Sequence, residues 1–171
     1  MVAPDLVTPN SHLRALRLDD APALFPAFAD EANMRFWSQP PHKDIGETEA
    51  DIRWWLETNP MTAWAILGSN GAVAGRTGLM ILREGVGEFG VALRPDAAGK
   101  GLARGAIAAI SDYAFTALGL HRLVADIDPD NVASRRLFEA CGFIEEATLK
   151  QNWKTHIGLR DSVIYARLRD G

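Results

Sequence analysis

Cysteine is almost absent. Cys141 stands alone among 171 residues, so the chain can close no internal disulfide and build no multi-cysteine metal site, and a reducing compartment suits it. Histidine is sparse as well: His12, His42, His121 and His156 are scattered, without H-E-x-x-H or comparable spacing, and no metal is expected. No apolar run approaches the ~20 residues a bilayer span requires. The start, Met1-Val2-Ala3-Pro4-Asp5-Leu6, has no basic segment followed by an apolar one, so the expectation is a cytoplasmic protein with no membrane partner. Positive charge is in deficit, 18 Lys and Arg against 22 Asp and Glu, for a net charge of -4. Broad attraction to nucleic acid phosphates needs a basic surface, so no nucleic acid partner is expected and any anion site must be local.

What is present suits one folded domain over residues 1–171: 47% hydrophobic and 23% charged residues are near the averages for globular proteins. Alternation predicts a strand over His12 to Arg17, and Asp19-Asp20 before Ala21-Pro22 predicts a helix near residues 20 to 29. Asn33 to Asp44, with Pro40-Pro41, reads as a mobile loop whose aromatics could meet a substrate or pack beneath it. Glu47 to Glu57 reads as a helix ended by Asn59-Pro60. Strands follow at Thr62 to Leu67 and Val73 to Leu82, joined by a turn at Ser69-Asn70-Gly71. A turn at Gly85 to Gly87 precedes a central strand, Glu88 to Leu93. A helix from Leu102 to about Leu118, a strand over Leu123 to Ile127, a helix capped by Asn131 and ended by Gly142, and strands over Phe143 to Leu149 and Ser162 to Arg169 complete a mixed α/β pattern.

The most informative stretch is Ala97-Ala98-Gly99-Lys100-Gly101-Leu102-Ala103-Arg104-Gly105, between a strand end and a helix start. Glycines let backbone N–H groups approach an anion, and the helix start offers unpaired N–H groups and partial positive charge. Arg94, Lys100 and Arg104 add cations, opposed only by Asp96, so a phosphorylated ligand fits; a merely tight loop is the alternative.

Ala98-Gly99-Lys100-Gly101-Leu102-Ala103 resembles the coenzyme A loop of the GCN5-related N-acetyltransferase (GNAT) superfamily, Gln/Arg-x-x-Gly-x-Gly/Ala, with Ala98 at the usual Gln/Arg position. Asn131-x-x-Ser134-x-x-Leu137-Phe138-Glu139-x-x-Gly142-Phe143 resembles its second coenzyme segment. Likeness extends over Leu13 to Phe25, Met34 to Pro41, Trp64 to Gly78 and Asp161 to Tyr165, and is greatest to the branch with the ribosomal-protein alanine and serine N-acetyltransferases.

The resemblance implies a single-domain α/β (α+β) GNAT fold: a mixed, mostly antiparallel sheet flanked by helices, with a splayed parallel strand pair. It implies acetyl-CoA as cosubstrate, with Val91, Ala92 and Leu93 pairing with pantetheine and Ala98, Gly99, Lys100, Gly101, Leu102, Ala103 and Arg104 around the pyrophosphate. Asn131 and Ser134 would flank the pantetheine arm, Asn131 also capping its helix. Transfer to an amine needs a base and oxyanion stabilisation. Glu88 is the expected base, with a solvated strand-end residue as its alternative, and a backbone N–H near Val91 would meet the oxyanion. Many relatives protonate the thiolate with a tyrosine, but Phe138 stands there, leaving Ser134 or solvent. Cys141 is expected to pack rather than react.

Phe36, Trp37 and His42 are candidates for the acceptor pocket, approached by Trp153 and His156. The implied reaction is N-acetylation of a primary amine, with a peptide or protein N-terminus the preferred acceptor and a small-molecule amine the alternative. A homodimer is compatible with the sequence. A non-catalytic acyl-CoA-binding module is the rival from another class. A nicotinamide oxidoreductase, suggested by Gly99-x-Gly101-x-x-x-Gly105 and Asp126, conflicts with Pro95-Asp96-Ala97-Ala98 between strand and glycines, and with the ~66 residues left for a second half-fold.

Overall fold

A computed structural model of the chain describes residues 3–58 and 61–169. Asn59-Pro60, expected to end a helix, lie outside the described residues. The elements run β1 (Leu6–Val7), β2 (His12–Ala15), α1 (Ala21–Phe28), α2 (Glu31–Met34), α3 (Ile45–Glu57), β3 (Met61–Leu67), β4 (Val73–Arg83) and β5 (Val86–Leu93). There follow α4 (Leu102–Thr116), β6 (Arg122–Ile127), α5 (Val132–Ala140), β7 (Ile144–Thr155) and β8 (Gly158–Leu168). Among the described residues the strands form one sheet in the order β1-β2-β3-β4-β5-β6-β8-β7. Every neighbouring pair is antiparallel except β5 and β6, which α4 joins as a crossover connection.

Alternation along the strands sorts side chains into two cores. Phe89, Val91 and Leu93 of β5 and Leu123, Ala125 and Ile127 of β6 belong to the core that contains Ile107 and Ile110 of α4 and Phe138 of α5. Ala92 joins Ala63 and Ala65 of β3 in the other core, with Leu24 and Phe28 of α1 and Ile52 and Trp55 of α3. Trp55 lies against the sheet because β4 carries glycine beneath it: a Cβ on Gly78 would come within 2.1 Å of the ring. Helices α3 and α5 start where capping chemistry dictates. Asp44 accepts from Glu47 N–H at 3.1 Å ahead of α3, and Asn131 accepts from Ser134 N–H at 3.1 Å ahead of α5.

Three expectations need correction. The turn after β4 is Glu84-Gly85, so Gly87 lies inside β5 and Glu88 is a mid-strand residue opposite Met80 and Val124 rather than the strand's first. The expected loop from Asn33 opens on the last residues of α2, a single turn capped by Asp30, which accepts from Asn33 N–H at 2.7 Å. The final hairpin is longer than expected, to Thr155 and from Gly158. β7 is an edge strand exposed along nearly its whole length, so its residues carry no alternation to read.

The parallel pair is short. Register runs Val86 to Arg122, Gly87 to Leu123 and Glu88 to Val124, then stops, while β5 continues on β4 to Leu93 and β6 continues on β8 to Ile127. Beyond Glu88 and Val124 the two strands part.

Candidate active site

A cavity of about 320 Å³ opens at this parting. β5 contributes Glu88, Phe89, Gly90 and Val91, the end of β6 contributes Asp126, and α5 contributes Ser134 and Phe138 behind Asn131. The facing wall is aromatic: Phe36 and Trp37 after α2, Trp54 and Trp55 of α3, and Trp153 of β7. Phe36, Trp37, Glu88, Val91, Asn131 and Ser134, each a candidate from the sequence, all line this one cavity. Trp153 joins them from the hairpin. His156 stays outside the lining but ties that hairpin to the aromatic loop, its Nδ1–H donating to the Trp37 carbonyl at 3.1 Å.

His42 does not line the cavity. Its ring stacks on Phe28 at 5.1 Å and its Nδ1 lies 2.9 Å from Thr48 Oγ1, so it packs under the helices, where burial lowers its basicity. Phe138 is buried against Phe89 and Phe143 and offers no proton. Cys141 is buried with its Sγ 3.8 Å from the Arg104 carbonyl, and burial pushes its thiol upward, as expected of packing rather than nucleophilic use.

Glu88 is the chemically prepared group. Burial in the cavity wall, aided by the charge of Asp126, raises its carboxyl to about 7. A base is most effective when its proton affinity lies near the working pH. The alternation that packs Phe89 against α5 turns Glu88 to the opposite face, the face of Trp54 and Trp55.

The glycine loop lies beyond the C-terminal end of β5 and outside this cavity's lining. Gly99 and Gly101 adopt φ of +74° and +75°, a left-handed backbone that glycine takes without steric cost. The first bond into α4 is Gly105 N–H to the Gly101 carbonyl at 3.0 Å, which leaves the N–H groups of Gly101, Leu102, Ala103 and Arg104 without intrahelical partners. Lys100 and Arg104 are exposed beside them. Arg94, expected to add charge, is instead engaged by Asp96 at 3.0 and 3.1 Å. The remaining donors fit a pyrophosphate, and the parted edge of β5 leaves Val91, Ala92 and Leu93 without a strand partner on the β6 side among the described residues.

The family model described as "Acetyltransferase (GNAT) domain" matches residues 11–144. The chain belongs to the GNAT acetyltransferase family. This GNAT protein is an N-acetyltransferase that uses acetyl-CoA, an acyltransferase enzyme. It is 27% identical over 143 residues to spermidine N(1)-acetyltransferase of Vibrio cholerae, covering 82% of this chain and 83% of that protein. A crystal structure of spermidine N-acetyltransferase from Vibrio cholerae with CoA and spermine superposes with a TM-score of 0.79 at 25% identity, covering 91% and 94% of the two chains. A GNAT acetyltransferase from Bacillus anthracis shares the fold with a TM-score of 0.88 at 20% identity, over 96% and 98% of the chains. Mycobacterium smegmatis RimJ, solved with CoA-disulfide, shares it at 0.81 and 24% identity, over 96% and 86%. The superfamily and fold are those the motifs implied, but the ribosomal-protein branch is not singled out.

Sequence reasoning missed Trp54, Trp55 and Arg160 as cavity residues, and read Asp126 only within the nicotinamide alternative. One signal for Asp126 was available: it is the polar residue interrupting the apolar strand Leu123-Val124-Ala125-Asp126-Ile127.

Proposed function

We propose that this GNAT enzyme acetylates a primary amine on a flexible aminoalkyl cation, with Glu88 as general base. The observation that carries the reading is a carboxyl raised to about 7 in a cavity walled by tryptophans and carboxylates. Aromatic faces and carboxylates attract ammonium groups. The cavity's cation, Arg160, is already engaged by Asp128 at 2.7 and 2.9 Å and Asp130 at 2.5 Å. An acceptor with N–H donors and methylenes finds partners there, whereas a peptide also needs donors for its carbonyls. The 27% identity to a spermidine acetyltransferase agrees.

Gly99 to Arg104 would hold the pyrophosphate and Val91 to Leu93 the pantetheine arm of acetyl-CoA, which supplies a thioester as acetyl donor. Glu88 takes a proton from the bound ammonium, directly or through water. The freed amine attacks, and a backbone N–H near Val91 meets the developing oxyanion. As the carbon–sulfur bond breaks, the proton that the attacking nitrogen still carries would pass to the departing thiolate through the Ser134 hydroxyl or solvent, since Phe138 cannot relay it.

A peptide N-terminus is the second reading, and Glu88 itself favours it. An α-amino group at about 7.7 to 8.0 gives up its proton to a base near 7 more readily than an alkylamine of about 10.4. Spermidine, Ser- and Ala-initiated peptides, N-terminally blocked lysine peptides and aminoglycosides should be compared at equal concentration with acetyl-CoA, locating the acetyl group by mass spectrometry. Spermidine in first place supports the aminoalkyl reading and a Ser or Ala peptide the second. CoA release with none of them rejects both.

A further inference from the structure

The face that carries Glu88 also carries Asp126. Leu123, Ala125 and Ile127 of β6 point into the α4 and α5 core, so Val124 and Asp126 point the other way. Val124 is the last residue of β6 paired with β5, and Asp126 is the next residue on that face, where the strands have parted. The two carboxylates thus stand on the two sides of the opening.

The charged groups around Glu88 come from two further segments. Asp128, beyond β6, is neutralised by Arg160 of β8. Asp161 of β8 accepts from Lys150 Nζ at 2.9 Å and Gln151 N–H at 2.8 Å. β4 contributes Met80, α3 contributes Trp54 and Trp55, and α5 contributes Ser134 and Phe138, none of them charged. Asp126 differs from the other aspartates: its described donors are neutral, the Trp153 indole N–H at 2.8 Å and the Asn152 amide at 3.3 Å. They orient the carboxylate and leave its charge uncompensated.

The orientation is built into the hairpin. Pairing of β7 with β8 is interrupted between Leu149 and Trp153, and there Gln151 takes a left-handed φ of 50°. Asp161 ties the interrupted segment down through Lys150 and Gln151, while Asn152 is held to Ser162 Oγ at 3.0 Å. A regular strand would send adjacent residues to opposite faces. Here Asn152 and Trp153 both reach Asp126. These residues lie beyond the 11–144 range of the family match.

We infer that Asp126 is a positioning residue for acetyl transfer: its carboxylate, aimed by Asn152 and Trp153, draws the acceptor's ammonium to the strand opening beside Glu88. Its negative charge also adds to the burial that raises the Glu88 carboxyl. The inference rests on the amine-transfer reading above. A charge-assisted contact of this kind corresponds to about 10- to 100-fold in acceptor affinity.

The test is Asp126→Asn, which preserves shape, in the full-length enzyme with spermidine, or with the Ser-initiated peptide where the acceptor panel favours that. KM for the acceptor should rise about tenfold or more while acetyl-CoA affinity by calorimetry stays unchanged. The acid limb of the kcat/KM profile should move to lower pH, because loss of a neighbouring negative charge makes Glu88 easier to ionise. Trp153→Phe, at a side chain 47% exposed, should raise KM in the same direction by less, since Asn152 remains. An unchanged acceptor KM in Asp126→Asn overturns the inference whatever the limb does. A raised KM with an unmoved limb overturns the part concerning Glu88. The base assignment is judged separately by Glu88→Gln: if that variant keeps the wild-type limb, the base is wrong, and Asp126 stands or falls on KM alone.

Discussion

Arg76, 1% exposed in the middle of β4, donates from Nη2 to Asp51 of α3 at 2.8 Å while its guanidinium lies 4.9 Å from the ring centres of both Phe28 and Trp55. Trp37 is 5.5 Å away on a third side. Nε and Nη1 have no hydrogen-bond partner among the described residues, and aromatic faces stand where water would otherwise solvate part of the charge. Two of these rings, Trp37 and Trp55, also wall the cavity that holds Glu88. Core packing, loop position and site shape therefore meet at one buried cation.

Losing the two ends of this pair should differ in cost. Asp51→Ala strands a buried charge and should destabilise by about 3 kcal/mol or more. Arg76→Met keeps the volume, removes the desolvated charge and leaves Asp51, 26% exposed, able to hydrate, so its cost should be smaller. Denaturant midpoints for the two variants check the order, and equal losses would contradict it.

Gly101 tests the anion site. It takes φ +75°, and a Cβ there would stand 3.1 Å from Asn10 Nδ2, so any side chain brings some strain. Asparagine tolerates the left-handed backbone better than most residues and is neutral, which makes it the control for aspartate. Gly101→Asp should weaken acetyl-CoA binding at least about tenfold more than Gly101→Asn, because the added charge cancels the positive end of the helix and repels the phosphates. Calorimetry reporting equal affinities would move the pyrophosphate elsewhere.

Burial of Glu88 has a consequence for stability. Its folded value of about 7 lies above the ordinary 4.5, so the folded state retains a proton that the unfolded chain has released as pH climbs between the two. Stability falls through that window and the penalty is complete above about 7. Glu88→Gln should therefore be more stable than wild type at pH 8, with the advantage disappearing below about pH 4.5. Thermal melts at the two pH values measure it; an advantage independent of pH would point to packing.

The parts legible in the sequence were those written in local chemistry. Gly99 and Gly101 advertise a left-handed loop at a helix start, and Asn131 with Ser134 advertises a cap; both are where the motifs placed them. Glu88 was recognisable as a candidate, but its raised proton affinity arises first from burial in the assembled cavity wall and then from Asp126 across the parted strands, both set by residues distant in sequence. The bulge at Gln151 carries no glycine to announce it. His42 misled because a histidine near aromatic residues reads equally well as a pocket wall or as a ring stacked on Phe28. Cavity walls assembled from α3, β6 and the β7–β8 hairpin are products of sheet order, which alternation within one strand does not reveal.

Glu88 is proposed as the group that frees the amine, and the pH dependence of kcat/KM for wild type and Glu88→Gln tests this role most directly. Wild-type kcat/KM should rise through about pH 7 as the carboxyl ionises. The glutamine variant should bind acetyl-CoA normally, turn over about 10²- to 10⁴-fold more slowly, and lose that limb. A folded variant that keeps the wild-type rate and the wild-type limb would contradict the account.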